Sequence, residues 1–371
     1  MKAFRVLAIV SIIALAAAYV TWAQGPPSSE TVARPKKPGA TSSEPDQPKI
    51  PSKFPKKDGD KPGDTPVFRT DVNTVTVDVA VLDNKGHFIP KIPKGNFRIL
   101  EDNVPQQIAG YAVGEAPMTI ALVVEFSNRY QRYYSEAWFQ TLTATYGFVQ
   151  TLKKEDYLAV VAYDLRPEIL SDFSTDRQQA AEALARLRVA AFSESNLYDA
   201  LVFTGERMQE IEGRKAIVLI SSGVDTFSKI TFDQARRKVQ DMGVPIYGIG
   251  MMQAIRIVAE QYMGAIQRMD FLQADNQMRT FAKESGGQSY FPRFYGEFPS
   301  IFGSISEAMR NQYVLTYSPS NQVRNGKFRK IKIDLVNPET NEPLRVVDEK
   351  GKPIKYQIVA KAGYTAPREV E

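Results

Sequence analysis

The chain has 371 residues, 43% of them hydrophobic and 24% charged, with a net charge of +5. That is the balance of an ordinary globular protein with room for two domains and extra segments. The charge is too modest for a nucleic-acid binder. The absence of cysteine excludes disulfides, thiolate catalysis, cysteine-held zinc and a cysteine-linked lipid anchor.

Residues 1–24 read as a targeting segment. Lys2 and Arg5 precede an apolar stretch, Val6 to Val20, and Thr21-Trp22-Ala23 offers small residues at the spacing signal peptidase reads. Cleavage near Ala23 or Gln24 leaves no integral membrane span. An uncleaved anchor is the alternative, because Tyr19, Val20 and Trp22 lengthen the apolar stretch. Gly25 to Pro66 reads as a disordered linker. It is rich in Pro, Ser, Gly and Lys and almost devoid of apolar side chains, so burial cannot offset the entropy of ordering it. Its charges nearly balance, which favours a solvated spacer over an arm that grips a wall or membrane.

Residues 67–117 read as a small all-β unit. Val75, Val77, Val79 and Val81 alternate with Thr76, Asp78 and Ala80, the period of a half-buried strand. Asn84-Lys85-Gly86 is a turn. Phe97 to Leu100 begins a second strand, and Asp102-Asn103 turns the chain toward Gln107 to Ala109. His87, the only histidine, sits beside the first turn and reads as structural.

From Met118 to Asn311 strands alternate with helices, the signature of a parallel, doubly wound sheet. Ile120 to Val124 is an unbroken apolar run, the mark of a strand buried on both faces. It stops at Glu125, Phe126, Ser127, Asn128 and Arg129. A carboxylate and a hydroxyl therefore stand past the carboxyl end of a central strand, where open α/β sheets bind ligands. Helical spacing follows over 137–153. Strands are expected at 157–163, 169–170, 216–221, 244–249 and 288–291. Helices are expected at 176–187 with Ser174 or Thr175 as cap, at 197–211, 231–242, 254–284 and 298–311. Gly286-Gly287 is a helix stop. The paired carboxylates Glu155-Asp156 read as solvated charge at a helix end.

Residues 312–364 return to short strands, at 313–317, 328–335 and 354–360, and 365–371 form a tail. In one strand Lys330, Lys332 and Asp334 alternate with Ile331, Ile333 and Leu335, giving one wet and one buried face. Neither β segment can bury much alone. We therefore expect the two to pack as one β-sandwich with the α/β domain inserted between them.

From Phe68 to Tyr364 the chain resembles the bacterial family of secreted von Willebrand factor type A-related proteins. The carriers are VDVAVLDNKG, FRILEDNVPQQI, IALVVEFSN, SNLYDAL, AIVLISSGVD, AKESGGQSYF, MRNQYVLTYSPSN and KAGYTAP, in that order. The resemblance implies an adhesion-type site of three loops that hold a divalent cation. The first loop reads Asp-x-Ser-x-Ser, the second supplies a Thr and the third an Asp. The matching residues here are Glu125, Ser127, Arg129, Ser195 and Ser222. One carboxylate remains where the family has two, and a guanidinium replaces a hydroxyl. The site is thus a degenerate one, with no organic cofactor and at most weak affinity for Mg2+ or another divalent cation. Asp225, Asp199 and Glu194 are the carboxylates that could rescue it. Otherwise Arg129 is expected to pair with Glu125.

No enzyme motif is present. The lone His lies on a β turn, and there is neither a nucleophile elbow nor a phosphate loop. The expected function is an exported, non-enzymatic protein- or peptide-binding module, secreted or held in the cell envelope. Arg129, Tyr130 and Asp225 are the expected contacts. Tyr130, Tyr133, Tyr134, Trp138 and Phe139 crowd the same loop–helix junction and either anchor a partner or pack the helix. The alternative is a structural part of an envelope or secretion assembly that uses helix or sandwich faces. The sequence implies no particular oligomeric state. Limited proteolysis of the mature protein should trim it to near Thr65–Thr70 and leave a resistant core. Early cuts within 118–311 would contradict this organisation.

Overall fold

The computed structural model describes residues 74–368 apart from 115, 129–134, 188–189, 191 and 348–350. The targeting stretch and linker therefore lie outside the described residues, which all belong to the unit Pro48–Glu371.

The chain begins with β1 (Val75–Asp83), β2 (Phe97–Glu101), β3 (Val104–Gln106) and β4 (Ile108–Gly114). Asp102 and Asn103 both have positive φ, which short polar side chains tolerate, and they close the β2–β3 hairpin. The α/β part follows. It runs β5 (Met118–Glu125), α1 (Ser135–Thr151), β6 (Tyr157–Tyr163), β7 (Pro167–Ser174), α2 (Arg177–Ala185), α3 (Leu197–Gln209) and β8 (Arg214–Ser221). It continues with α4 (Phe232–Met242), β9 (Ile246–Gly250), α5 (Met252–Ala259), α6 (Ala265–Ser285), β10 (Ser289–Tyr290) and α7 (Phe298–Arg310). The chain then returns to β11 (Gln312–Tyr317), β12 (Phe328–Leu335), β13 (Val346–Val347), β14 (Pro353–Ile354), β15 (Tyr356–Ala360) and β16 (Gly363–Thr365).

The central sheet has the order β10-β9-β8-β5-β6-β7. All pairs are parallel except the last, where β7 runs antiparallel at the edge. All eight residues of β5 are buried, as a central strand covered on both faces requires. Apolar clusters line each face of this sheet, one with Trp138, Phe148 and Phe302, the other with Leu201, Val239 and Phe281.

Two further sheets, β15-β1-β11-β4 and β16-β12-β2-β3, each combine strands from both flanks. Their inner faces share one core of Val77, Val79, Ile99, Tyr313, Leu315 and Ile333. This is a sandwich into which the α/β part is inserted.

The structure corrects several local readings. β1 is not half-buried along its length, for Val79, Ala80, Val81 and Leu82 are all buried. The reason is that Ala80 and Leu82, on the outer face, join the core of the α/β part. Asp176 itself caps α2 by accepting from Gln178 N at 2.9 Å, rather than Ser174 or Thr175 capping it. The helix expected over 254–284 breaks, and α6 starts anew after an extended Gly264. The strand expected at 169–170 spans eight residues because it pairs along β6.

Asp156 is the largest correction. It is fully buried, not solvated. Its carboxylate accepts from Met118 N at 3.0 Å and Lys153 N at 2.8 Å and pairs with Arg310 at 2.8 Å. One side chain thus ties the starts of β5 and β6 to the end of α7. Asp156→Ala leaves Arg310 and two backbone N–H groups without this acceptor. It should lower the unfolding free energy by about 3–5 kcal/mol. The exposed neighbour change, Glu155→Ala, should cost under about 0.5 kcal/mol in the same urea titration.

Candidate functional site

Glu125 ends β5 at the carboxyl edge of the sheet and is 3% exposed. A buried carboxylate needs its charge compensated by close donors. Four are present. Oε1 accepts from Ser127 Oγ at 2.9 Å, and Oε2 accepts from Ser221 Oγ at 2.9 Å, Ser222 Oγ at 2.8 Å and Ser222 N at 2.7 Å.

The donors are themselves held. Tyr163, at the end of β6, is fully buried and donates to Ser221 Oγ at 2.8 Å. Burial first, and the Glu125 charge second, push its phenol well above the ordinary value, so it remains a donor. Gly223 N also donates to Ser221 Oγ, and Val224 N to Ser222 Oγ. The hydroxyls of Ser221 and Ser222 are thereby occupied on both their donor and acceptor sides.

The second loop is stitched to its neighbours through backbone. Asn128 N donates to Phe192 O, while Thr226 N and Phe227 N donate to Ser195 O. Ser195 is fully buried and does not donate to Glu125. Its Oγ lacks a partner of good geometry among the described residues, although it lies near enough to influence the Tyr163 phenol.

The carboxylates that could rescue a cation site are used elsewhere. Asp225 accepts from Ser228 Oγ at 2.5 Å and Tyr198 N at 3.2 Å. It caps α3 from the third loop, where Asn196 provides no side-chain cap of its own. Burial pushes its carboxyl upward despite these bonds. Asp225 therefore also serves as a structural cap. Asp199 accepts from Lys229 N, and Glu194 from Ser193 N. Arg129 and Tyr130, with Tyr133 and Tyr134, lie outside the described residues.

The described residues do not fit a tightly held divalent cation. Among the described residues Glu125 is the carboxylate that meets the loop hydroxyls, and its oxygens already accept four hydrogen bonds. No cluster of three or more acidic, His or Cys side chains occurs among the described residues. A hard cation needs several oxygens with enough negative charge, which one satisfied carboxylate does not supply.

The loops carry a second feature, of which sequence reading named Phe139 but missed Phe192 and Phe227. Phe192 of the second loop and Phe227 of the third are exposed at 47% and 55%. Phe139, near the start of α1 after the first loop, is exposed at 71%. Its neighbour Trp138 is buried, packs at a tilt against Phe126 and donates to Leu187 O. Packing the helix thus falls to Trp138, while Phe139 faces solvent. The signal was present as single phenylalanines in otherwise small, polar loops.

The doubly wound sheet with its three loops at the carboxyl edge has a von Willebrand factor A-like fold. Residues 122–224 match the family described as von Willebrand factor type A domain. Among solved structures it is similar to proximal thread matrix protein 1 from the mussel byssus. Identity is 13%, TM-score 0.41, with 55% of this chain and 49% of that one covered. It is also similar to the vWF domain of the type V pili tip protein Mfa5 from Porphyromonas gingivalis, at 12% identity and TM-score 0.40, over 53% and 97% of the chains. A von Willebrand factor type A protein from Catenulispora acidiphila matches at 12% identity and TM-score 0.39, over 79% and 75%. The chain spans about half the length of the mussel protein it matches. That protein has also been solved with a zinc-occupied MIDAS motif. No curated protein matches by sequence.

The geometry gives a direct test of the site. Calorimetry with Mg2+ and Mn2+ should detect no micromolar binding by the native protein. The triple change Glu125→Asp, Arg129→Ser and Ser222→Asp should create stoichiometric binding by restoring the second carboxylate and removing the cation. Tight binding by the native protein would mean that other oxygens complete the site.

Proposed function

We propose that this protein is an exported, non-enzymatic binding module that captures a protein or peptide at the loop edge without a bridging cation. The observation that carries the reading is the loop edge itself. Phe192 of the second loop and Phe227 of the third are exposed, as is Phe139 in the first turns of α1, while the carboxylate at the same sheet edge is saturated by its own neighbours. Exposing large aromatic side chains to water is unfavourable, and rigid aromatic anchors on well-tied loops are what protein interfaces use. The backbone ties between the loops hold these anchors in place, which lowers the entropy cost of binding.

Export rests on the sequence of residues 1–24. No described helix is long and apolar enough to cross a membrane. The absence of catalysis is likewise part of the proposal, and it rests on a site whose polar groups are turned inward.

The assembly reading has one observation in its favour. Ile266 and Met269 are exposed on the first turns of α6, beside an exposed Tyr262. That helix face offers a second apolar surface.

Capture of partners from envelope extract separates the two readings. The native protein should retain its partner in the presence of a chelator. Phe139→Ser, Phe192→Ser and Phe227→Ser together should weaken retention by at least about tenfold, or about 1.4 kcal/mol, with an unchanged melting temperature. Loss of capture on chelation would refute the cation-independent mode. Loss only with Ile266→Ser and Met269→Ser would transfer the function to the helix face.

A further inference from the structure

At the end of the central sheet opposite Glu125, a cleft of about 120 Å3 lies between the sandwich and the starts of the parallel strands. Asp78 of β1 and Lys361, just past β15, line it from the sandwich. Arg214 and Lys215 of β8 and Tyr247 of β9 line it from the α/β part.

The joint that makes this cleft is tightly specified. A side chain at Gly286 would lie 2.5 Å from Lys361 N, and one at Gly287 would lie 2.1 Å from Ile246 O. Only glycine lets the end of α6 approach Lys361 and the start of β9 so closely. Glu284 O also accepts from Ala362 N. The backbone that carries Lys361 is thus fixed.

The cations divide into two kinds. Lys215 Nζ is spent on the carbonyls of Met208, Gln209 and Ile211, at the end of α3. Arg214 donates to Arg310 O and Gly114 O, which fixes its guanidinium across the joint. By contrast, Asp78, Lys361 and Tyr247 make no side-chain hydrogen bond or ion pair among the described residues. Asp78 and Lys361 are close enough to influence each other electrostatically yet do not pair.

Burial raises the Asp78 carboxyl, with Arg214 and Lys361 opposing, and lowers the Lys361 ammonium, with Asp78 opposing. Asp78 is exposed and Lys361 half-buried, so the cleft is an open pocket and not a sealed core. A lone anion entering here would meet Asp78. A lone cation would meet Lys361 with Arg214 and Lys215 behind it. A molecule carrying both charges satisfies both ends.

Size narrows the choice. An engineered cavity of about 150 Å3 holds benzene, so this one suits a ligand of about five or six heavy atoms. We infer that the cleft binds a small zwitterion of the amino-acid type, the size of glycine or alanine. Its ammonium faces Asp78, and its carboxylate faces Lys361 and the Tyr247 hydroxyl.

Calorimetry and saturation-transfer NMR on the full chain test this with glycine, alanine, acetate and methylamine. Glycine and alanine should bind saturably, and acetate and methylamine at least about tenfold more weakly. Asp78→Asn and Lys361→Met should each weaken glycine binding by at least about tenfold. Tyr247→Phe, which removes only the hydroxyl, should weaken it less. It provides the readout should either charge variant fail to fold. Absence of saturable binding by both amino acids overturns the proposal. So does acetate binding as tightly as glycine, or glycine binding that all three variants leave unchanged.

Discussion

A carboxylate buried at the end of the central strand sets the terms for the loop edge. A carboxylate as buried as Glu125 needs close donors, because a buried polar group left without partners is costly. The chain supplies donors from its first and third loops, and Tyr163 orients one of them from β6. Once these bonds form, the loops have little freedom left. The backbone ties from Asn128 to Phe192 and from Thr226 and Phe227 to Ser195 then bring the second loop into the same arrangement. This internal network and the backbone ties fix the three loops to one another.

The same economy appears at the other end of the sheet. Asp156 is buried with Arg310 and two backbone donors, and Arg214 bridges the carbonyls of Gly114 and Arg310. These residues stand where the chain leaves the sandwich and where it returns. The outer face of the sheet holding β1 is buried against the α/β part through Ala80, Leu82 and Val359. The sandwich core and the α/β core therefore share a strand, and neither has a complete surface without the other. A glycine pair at the end of α6 and a cleft with unpaired charges are consequences of that joint.

Particular residues show where sequence reading succeeds. Ile120 to Val124 was legible as a central strand because a fully covered strand needs apolar side chains on both faces. The Gly286-Gly287 helix stop was legible too, and Gly286 adopts the left-handed conformation that ends α6. Such local chemistry lies within a few residues and survives without knowledge of the fold. Asp156 was misread because nothing near it in sequence distinguishes a buried carboxylate from a solvated one. Its partners are Met118 and Arg310, far along the chain. The capping role of Asp225 was not legible for the same reason, since the helix it caps begins 28 residues earlier by its number, at Leu197.

By itself the sequence determined the order of elements, the insertion of an α/β part between two β segments, and the position of Glu125 at the carboxyl end of the middle strand. Hydrophobic period and turn chemistry are local properties, and they suffice for that. Only the tertiary structure decided which side chains satisfy Glu125, that Phe139 faces solvent while Trp138 is buried, and that Asp78 and Lys361 line one cleft. These depend on distances between residues remote in sequence, and burial and hydrogen bonding act over a few ångströms once the chain has folded.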